Sequence, residues 1–362
     1  MRGFTLIEVL ITVAIITAVS AAGYVAFSKF KGSQAVELTM NEITAVIKDV
    51  QKRAVTQQDG KQWGLRFTNS TSTTHSYQVW SGPSYASGTI SRTYYLGRGT
   101  LFGNPADDLN VDEIFSAISG KLLETRVISL INRRKDGVVG DIILTSRGAI
   151  TTRKESGLVG YWHFDESTAT TTYDASGFAN AGTLTNGPAW QSASNCKAGT
   201  CLSFDGTNDY VNVIDSASLD ITGAITVSAW VYADSYPSTY PTVVAKGNSA
   251  SAWELDVKND GTIEWEGFIG GTQRICNGGS FNLNQWVYIV GLFDGSDMKI
   301  FVNGSEVKSC SFPGVLGTNN SALEIGSRTN GGAVWDGFID GVRIYNSALS
   351  AQEILNLYND LK

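Results

Sequence analysis

The chain begins MRGFTLIEVLITVAIITAVSAAGYVAF, residues 1–27, and this stretch decides how the molecule starts. Residues 4–27 are predominantly apolar, and their only charged side chain is that of Glu8. A segment of this length and composition predicts an α-helix long enough to span a bilayer. A carboxylate near the centre of such a helix costs about 2.5 kcal/mol or more, so Glu8 is predicted to have a function.

A cleaved secretory signal peptide fits the N-terminus poorly. Arg2 is the only basic residue ahead of the apolar stretch, and that stretch is longer than an ordinary signal-peptide core. Gly3 precedes the apolar stretch, whereas a signal peptide has its small-residue cleavage site after it. A plain membrane anchor remains possible, but it leaves Glu8 unexplained.

Gly3, Phe4 and Glu8, at this spacing after a short basic leader, resemble the leader junction of type IV pilins and type II secretion pseudopilins. The resemblance implies that a prepilin peptidase cleaves between Gly3 and Phe4 and that Phe4 becomes N-methylated. It also implies a single-pass segment in the bacterial cytoplasmic membrane, which later assembles with other pilin subunits into an extracellular pilus or a periplasmic pseudopilus. A buried pair between Glu8 and the Phe4 amine of a neighbour would set the subunit register.

Beyond the apolar stretch the helix is predicted to continue to about Gly60, because apolar residues recur at intervals of three and four. These residues are Val36, Met40, Ile43, Ile47, Val50 and Ala54. From Trp63, six runs between turn residues predict strands: WGLRFTN, SYQVWSG, ISRTYYLG, TRVISLI, GDIILTS and GAITTR. Residues 112–119 are predicted to form a short helix or a buried apolar turn. The order of these segments is similar to that of class H pseudopilins.

Residues 157–362 contain many short strands at regular spacing, which predicts a two-sheet antiparallel sandwich. Ser350 and Glu353 predict a capped C-terminal helix. The successive blocks GLVGYWHFDES, DASGFANAGTL, LSFDGTNDYVNV and WVYIVGLFDGSDMKIFVNG resemble those of laminin G-like, concanavalin A-type jelly rolls. That resemblance implies a module that binds glycans or surface proteins and that often holds a structural calcium ion.

The predicted fold class is therefore α+β. A long N-terminal α-helix carries a small β-sheet head like that of a pilin, and an all-β jelly-roll sandwich follows. The predicted boundaries are 1–3 for the leader, 4–60 for the membrane and assembly helix, 61–153 for the head and 157–362 for the jelly roll.

All four cysteines lie in the second half of the chain. Their spacing does not match paired zinc knuckles, so two disulfides formed in an oxidising compartment are predicted. Of the three possible pairings, the sequence-local one is favoured, Cys196 with Cys201 and Cys276 with Cys310. Reduced, buried thiols are the alternative.

A calcium site is predicted in the jelly roll, because hard cations bind carboxylate and amide oxygens and the family resemblance brings such residues together. The predicted ligands are Asp165, Asn180 and Asp340. The alternative is that these side chains form hydrogen bonds within turns.

Ligand binding is predicted to use exposed aromatic side chains. The candidates are Trp253, Trp265, Trp335, Tyr236 and Tyr240. Glycosidases of the concanavalin A-like fold carry E-x-D-x-x-E on one strand. Here Glu254 and Asp256 are present, but Asn259 stands where the second glutamate falls. Because retaining hydrolysis needs two carboxyls that flank the bond, no enzymatic activity is predicted.

Net charge of −7, with 17% charged residues, argues against a nucleic-acid-binding jelly roll, and two histidines make His-based zinc or triad chemistry improbable. The leading hypothesis is a pilin-like filament subunit, a minor pilin, that displays a lectin-like adhesive or recognition domain. The alternatives are a pseudopilin of a type II secretion or DNA-uptake machine and a membrane-anchored glycan-active enzyme.

Overall fold

The computed structural model describes residues 6–70, 74–97, 100–105, 110–117, 119–132, 139–247, 251–328 and 332–361, with side chains from residue 31 onward. The α-helices are α1 (Leu6–Val55) and α2 (Ala351–Asp360), and one-turn 3-10 helices lie at Gln58–Gly60 and Ala193–Asn195. Within these ranges, no helix combines the length and the apolar content that crossing a membrane requires. The predicted membrane segment, residues 4–27, lies outside the residues whose side chains are described.

The second half of α1 packs through the predicted apolar stripe. Each of the six stripe side chains, from Val36 to Ala54, is at most 5% exposed, which confirms the prediction. The stripe shares one apolar core with Leu65, Phe67 and Ile142. Helix α1 ends at Val55, a few residues before the predicted Gly60, and the one-turn helix Gln58–Gly60 follows.

Eight strands pack around this part of α1. They are β1 (Trp63–Thr68), β2 (Ser76–Ser81), β3 (Thr89–Tyr95), β4 (Thr100–Asn104), β5 (Asn110–Phe115), β6 (Arg126–Asn132), β7 (Val139–Leu144) and β8 (Ile150–Glu155). They form two four-stranded antiparallel sheets, in the orders β3-β2-β1-β5 and β4-β6-β7-β8. We call residues 31–155 the N-terminal unit. All six predicted strands are present in it.

Two strands of the N-terminal unit differ from the prediction. Residues 110–115 form β5, neither a helix nor a turn, because they pair with the edge of β1, with Phe67 opposite Val111 and Leu65 opposite Glu113. Strand β4 was not predicted, since its sequence TLFGN contains Gly and Asn, which strands disfavour. It pairs with β6 and forms an edge strand of the second sheet.

Sixteen strands form a two-sheet sandwich. They are β9 (Leu158–Trp162), β10 (Thr171–Thr172), β11 (Gly182–Thr185), β12 (Ala189–Gln191), β13 (Cys201–Asp205), β14 (Tyr210–Val213), β15 (Ile225–Ser235), β16 (Thr242–Lys246), β17 (Trp253–Val257), β18 (Thr262–Ile269), β19 (Thr272–Ser280), β20 (Trp286–Phe293), β21 (Asp297–Val302), β22 (Ser305–Ser311), β23 (Leu323–Ile325) and β24 (Asp336–Tyr345). We call residues 158–361 the sandwich.

The first sheet of the sandwich has the order β10-β11-β14-β23-β16-β17-β18-β19. The second has the order β12-β13-β24-β15-β20-β21-β22, and β9 pairs with β24. A large apolar core between the two sheets includes Trp162, Val227, Leu255, Ile289 and Ile339. The predicted two-sheet antiparallel sandwich is therefore confirmed.

Helix α2 follows the last strand of the sandwich and begins with a capped first turn. The Ser350 hydroxyl accepts a hydrogen bond from the Glu353 backbone N–H, and the Glu353 carboxylate accepts one from the Ser350 backbone N–H. These two bonds satisfy donors that the first turn of a helix otherwise leaves unpaired. The predicted capping box is therefore confirmed.

The N-terminal unit and the sandwich share an apolar cluster. Val127 and Ile143 of the second sheet pack in one buried group with Trp230, Tyr288 and Tyr345 of the sandwich. Side chains of α2 belong to the same group: Ile354, Leu357 and Leu361. Apolar surface buried in this way holds the two units together.

Candidate functional site

The predicted processing residues, Gly3 and Phe4, lie outside the described residues. Glu8 lies in α1, but its side chain is among those that the structure does not describe. Cleavage, methylation and the pairing of Glu8 therefore stay predictions from the sequence.

Both favoured disulfides are present. Cys196 bonds to Cys201, and Cys276 bonds to Cys310. Strand β19, which carries Cys276, is an edge strand of the first sandwich sheet, and β22, which carries Cys310, is an edge strand of the second. The second disulfide therefore links the two sheets across one edge of the sandwich.

The predicted calcium ligands make hydrogen bonds within the protein. Asp165 accepts bonds from the Thr200 backbone N–H and the Asn104 amide, at 2.8 and 3.1 Å. Asp340 Oδ2 accepts bonds from two backbone N–H groups, those of residues 197 and 198. Asn180 Oδ1 accepts a bond from a serine hydroxyl at 2.6 Å. These bonds favour turn and loop bracing, and calcium at this set stays a prediction.

Three of the predicted ligand-binding aromatics are buried. Trp253, Trp265 and Trp335 are at most 1% exposed and belong to the sandwich core, so they present no ring face to solvent. The prediction of exposure was wrong for all three. Alternate residues of a strand point to opposite faces, and Trp253 on β17 and Trp265 on β18 fall on the core face. Trp335, just before β24, packs into the same core.

The two predicted tyrosines lie elsewhere. Tyr236 and Tyr240 are half-buried and lie at the turn between β15 and β16. The Tyr236 hydroxyl donates a hydrogen bond to the Phe281 carbonyl at 3.2 Å. The Arg328 guanidinium carbon lies 5.8 Å from the ring centroid of Tyr240. Both rings keep part of their surface accessible, and the ring of Tyr240 lies beside the Arg328 guanidinium.

Strands β17 and β18 carry four carboxylates on the face opposite to that of Trp253 and Trp265. In β17 and β18, Glu254 pairs with Glu266 and Asp256 pairs with Glu264. Neighbouring core residues such as Leu255 face the other sheet, so the acids face away from the core. Each of the four is at most 5% exposed.

Basic and amide side chains hold three of these acids in place. Arg328 Nη1 lies 2.5 Å from Glu254 Oε1. Glu266 Oε2 accepts a hydrogen bond from the Gln273 amide at 3.0 Å. Glu264 Oε1 accepts one from the Asn277 amide at 3.1 Å and lies 3.7 Å from Lys258 Nζ.

Asp256 differs from its neighbours. Its side chain has no exposed surface, and among the described residues neither carboxylate oxygen has a hydrogen-bond partner. Burial, together with the nearby charges of Glu254 and Glu266, raises the pKa of Asp256 well above its ordinary value. The arrangement can therefore take up a positive species, and its 0% exposed acids, Glu254 and Asp256, offer no surface for a sugar ring.

Sequence reasoning found half of this cluster. The E-x-D pair on β17 was visible as a motif, whereas Glu264 and Glu266 join it only through the pairing of β17 with β18. The sequence signal that was available is the alternation in residues 262–267, TIEWEG, where Glu264 and Glu266 alternate with Ile263 and Trp265.

A second group of charges lies between the two units. Arg153 Nη2 donates a hydrogen bond to Asp141 at 2.8 Å, and the same guanidinium bonds to Glu155 and Asp360. Arg343 of β24 lies 3.8 Å from both Asp141 and Glu155. Although burial raises the pKa of Glu155, the two guanidiniums lower it overall, so this carboxylate is ionised. Sequence reasoning did not find this group.

Two separate segments of the chain match known protein families. Residues 1–24 match the prokaryotic N-terminal methylation motif, and residues 205–355 match the concanavalin A-like lectin/glucanases superfamily. The chain joins a methylation motif to a concanavalin A-like domain. The motif suggests a type IV pilin-like or pseudopilin protein, and the concanavalin A-like domain suggests carbohydrate or other ligand binding. No curated protein is significantly similar to the chain.

Solved structures similar to the chain include three bacterial domains. Domain 4 of AbnA, a GH43 extracellular arabinanase from Geobacillus stearothermophilus in complex with arabinotriose, is 20% identical with a TM-score of 0.43, over 56% of this chain and 98% of that one. The binding domain of Paraclostridial Mosquitocidal Protein 1 is 19% identical with a TM-score of 0.45, over 56% and 52%. The binding domain of botulinum neurotoxin serotype G is 15% identical with a TM-score of 0.45, over 56% and 50%. The match spans about half the length of the two toxin domains.

Proposed function

We propose that the chain is a type IV pilin-like filament subunit, of the minor kind, that displays its concanavalin A-like domain as an adhesive or recognition module. The observation that carries the proposal is the methylation motif of residues 1–24, which overlaps helix α1. The same helix continues to Val55 and packs into the N-terminal unit. One continuous helix therefore links residues 6–24 of the motif to the N-terminal unit.

Assembly depends on the first residues of the mature chain. A prepilin peptidase cleaves between Gly3 and Phe4, and Phe4 is methylated. In the filament, the Glu8 carboxylate then pairs with the Phe4 amine of a neighbour, which compensates a charge that apolar surroundings would otherwise make costly. The N-terminal unit takes the place of a pilin head.

The size of the sandwich supports a minor role. Residues 158–361 outnumber residues 31–155, and every copy along a packed shaft would have to accommodate that bulk. A position at the tip, or rare insertion along the filament, removes this constraint. The cytoplasmic membrane holds the subunit before assembly, and the filament holds it outside the membrane afterwards.

The ligand surface that we propose is the rim formed by Tyr236, Tyr240 and Arg328. Its rings are partly accessible, and a sugar can stack on a tyrosine face while a guanidinium donates to its hydroxyls. The proposed activity is binding without catalysis, since Glu254 and Asp256 are buried and Asn259 replaces the second glutamate of the glycosidase motif.

A glycan array tests the ligand proposal. The protein should begin at residue 31, because a cut at residue 157 would expose the apolar cluster that the sandwich shares with the N-terminal unit. We expect binding to a restricted set of glycans that is lost on Tyr240→Ala and kept on Tyr95→Ala, a tyrosine that is 66% exposed on the N-terminal unit. Absence of glycan binding by the wild type would contradict a lectin role while leaving filament assembly untouched.

A pseudopilin of a secretion or DNA-uptake machine is the second candidate, because the methylation motif is compatible with both systems. The location of the assembled protein separates them. A pilin is recovered in filaments sheared from the cell surface, whereas a pseudopilin remains with the cell envelope.

A further inference from the structure

Three carboxylates on β17 and β18 are close enough to bind one ion. Glu254, Asp256 and Glu266 each offer an oxygen, and these three oxygens lie within 4.8 Å of one another. Calcium binds oxygens at about 2.3–2.6 Å, so two oxygens on opposite sides of one ion are about 5 Å apart. The spacing of the three oxygens therefore fits a single coordination shell.

Asp256 supplies an independent indication of a ligand. The side chain is fully buried, and within the described part of the chain neither of its oxygens accepts a hydrogen bond. Among the described residues, the cation closest to Asp256 is Arg328, whose Nη1 lies 4.0 Å from Asp256 Oδ2 and already contacts Glu254. A buried carboxylate without hydrogen bonds is strongly destabilising unless a positive species compensates it.

The charge balance of the cluster points to a divalent ion. Glu254, Asp256 and Glu266 carry three negative charges when ionised, and the described ion pairs give them one positive partner, Arg328. The fourth acid, Glu264, has its own partner in Lys258. The excess of carboxylates over cationic side chains in this cluster favours a divalent cation.

We propose that Glu254, Asp256 and Glu266 bind a calcium ion that fastens β17 to β18. Carboxylate oxygens are hard ligands, and calcium accepts the irregular geometry that two strands impose, whereas magnesium requires a near-octahedral shell and retains its waters. The Gln273 amide and the Arg328 guanidinium hold Glu266 and Glu254 in place from outside the shell. This site shares no residue with the set Asp165, Asn180 and Asp340.

Calorimetric titration of calcium into the chelator-treated full chain in detergent micelles tests the site. We expect saturable binding by the wild type and a rise in its melting temperature of several degrees with calcium. Asp256→Asn keeps the shape of the side chain and should weaken binding at least tenfold and abolish the rise. Without calcium it should melt at or above the wild-type temperature, because the amide cannot ionise among the neighbouring acids.

Two matched variants complete the test. Asp260→Asn makes the same change at an exposed residue in the turn between β17 and β18 and should bind calcium like the wild type. Asp340→Asn reports on the other predicted set and should also keep this binding. The proposal is overturned if the wild type binds no calcium, if Asp256→Asn binds normally, or if Asp260→Asn loses binding equally.

Discussion

The guanidinium of Arg343, in β24 of the sandwich, lies 3.8 Å from the carboxylate of Asp141, in β7 of the N-terminal unit. Both side chains are at most 1% exposed. The two units are therefore joined by buried charges as well as by a shared apolar cluster. These contacts hold the sandwich in a defined orientation relative to the N-terminal unit.

Loss of Arg153 should destabilise this joint. Arg153→Met removes the hydrogen-bonded partner of the fully buried Asp141, and breaking a buried pair from one side costs about 3–5 kcal/mol. Urea unfolding of residues 31–362 measures the change. Lys154→Met is the control, because its pair with Glu37 is exposed and such pairs contribute about 1 kcal/mol or less. If both variants lose the same free energy of unfolding, the buried charges do not stabilise the contact between the units.

Glu113 should make stability fall as pH rises. Burial raises the pKa of this 4% exposed carboxyl from 4.5 to about 8, even though Arg126 acts in the opposite direction. Between these two values the folded chain holds a proton that the unfolded chain has released. Stability is therefore greatest at the acid end of this window and declines by about 1.4 kcal/mol per pH unit for this group.

Denaturant unfolding at pH 5, 6 and 7 measures that decline. Glu113→Gln cannot ionise, so its stability should fall less steeply with pH than that of the wild type. Glu306→Gln, at an exposed position on β22, is the matched control and should keep the wild-type slope. Identical slopes for all three proteins would rule out a raised pKa at Glu113.

The two disulfides should contribute unequally. In the loop-entropy description, Cys276–Cys310, with a separation of 34 residues, contributes about 4 kcal/mol, and Cys196–Cys201, with a separation of 5, contributes about 2 kcal/mol. Replacing each pair by alanines and measuring unfolding tests the order. A larger loss from the short-loop pair would contradict it.

Glu8 should be required for assembly but not for folding. Glu8→Ala is expected to leave the amount of membrane-inserted protein unchanged and to reduce the amount in sheared filaments at least tenfold, because the pairing partner of the Phe4 amine is gone. Glu37→Ala, an exposed position later in α1, should assemble normally. Normal incorporation of the Glu8 variant would exclude the pairing role.

The features predicted correctly from the sequence are local or periodic. The apolar stripe of α1 follows from a helical period, the capping box of α2 from two residues three apart, and the disulfides from nearest-neighbour pairing. The carboxylate cluster required knowledge of the register between β17 and β18, which sets Glu266 beside Glu254. Trp253 and Trp265 were misplaced for a related reason, since the choice of core face depends on the second sheet.

The joint between the units was beyond sequence reasoning. Asp141, Arg153 and Arg343 are distant in the sequence, and charged residues are ordinarily predicted to be exposed. Their burial depends on the packing of β7 and β8 against β24 and α2, a tertiary arrangement that no local pattern encodes.

The central claim is that residues 1–24 form a processed assembly motif, and the mass of the N-terminal peptide tests it most directly. Filaments sheared from cells should be digested and the first peptide of this chain identified by mass spectrometry. This peptide should begin at Phe4 and carry a methylated amine. An intact Met1, or a mature start after Ala22, would contradict it.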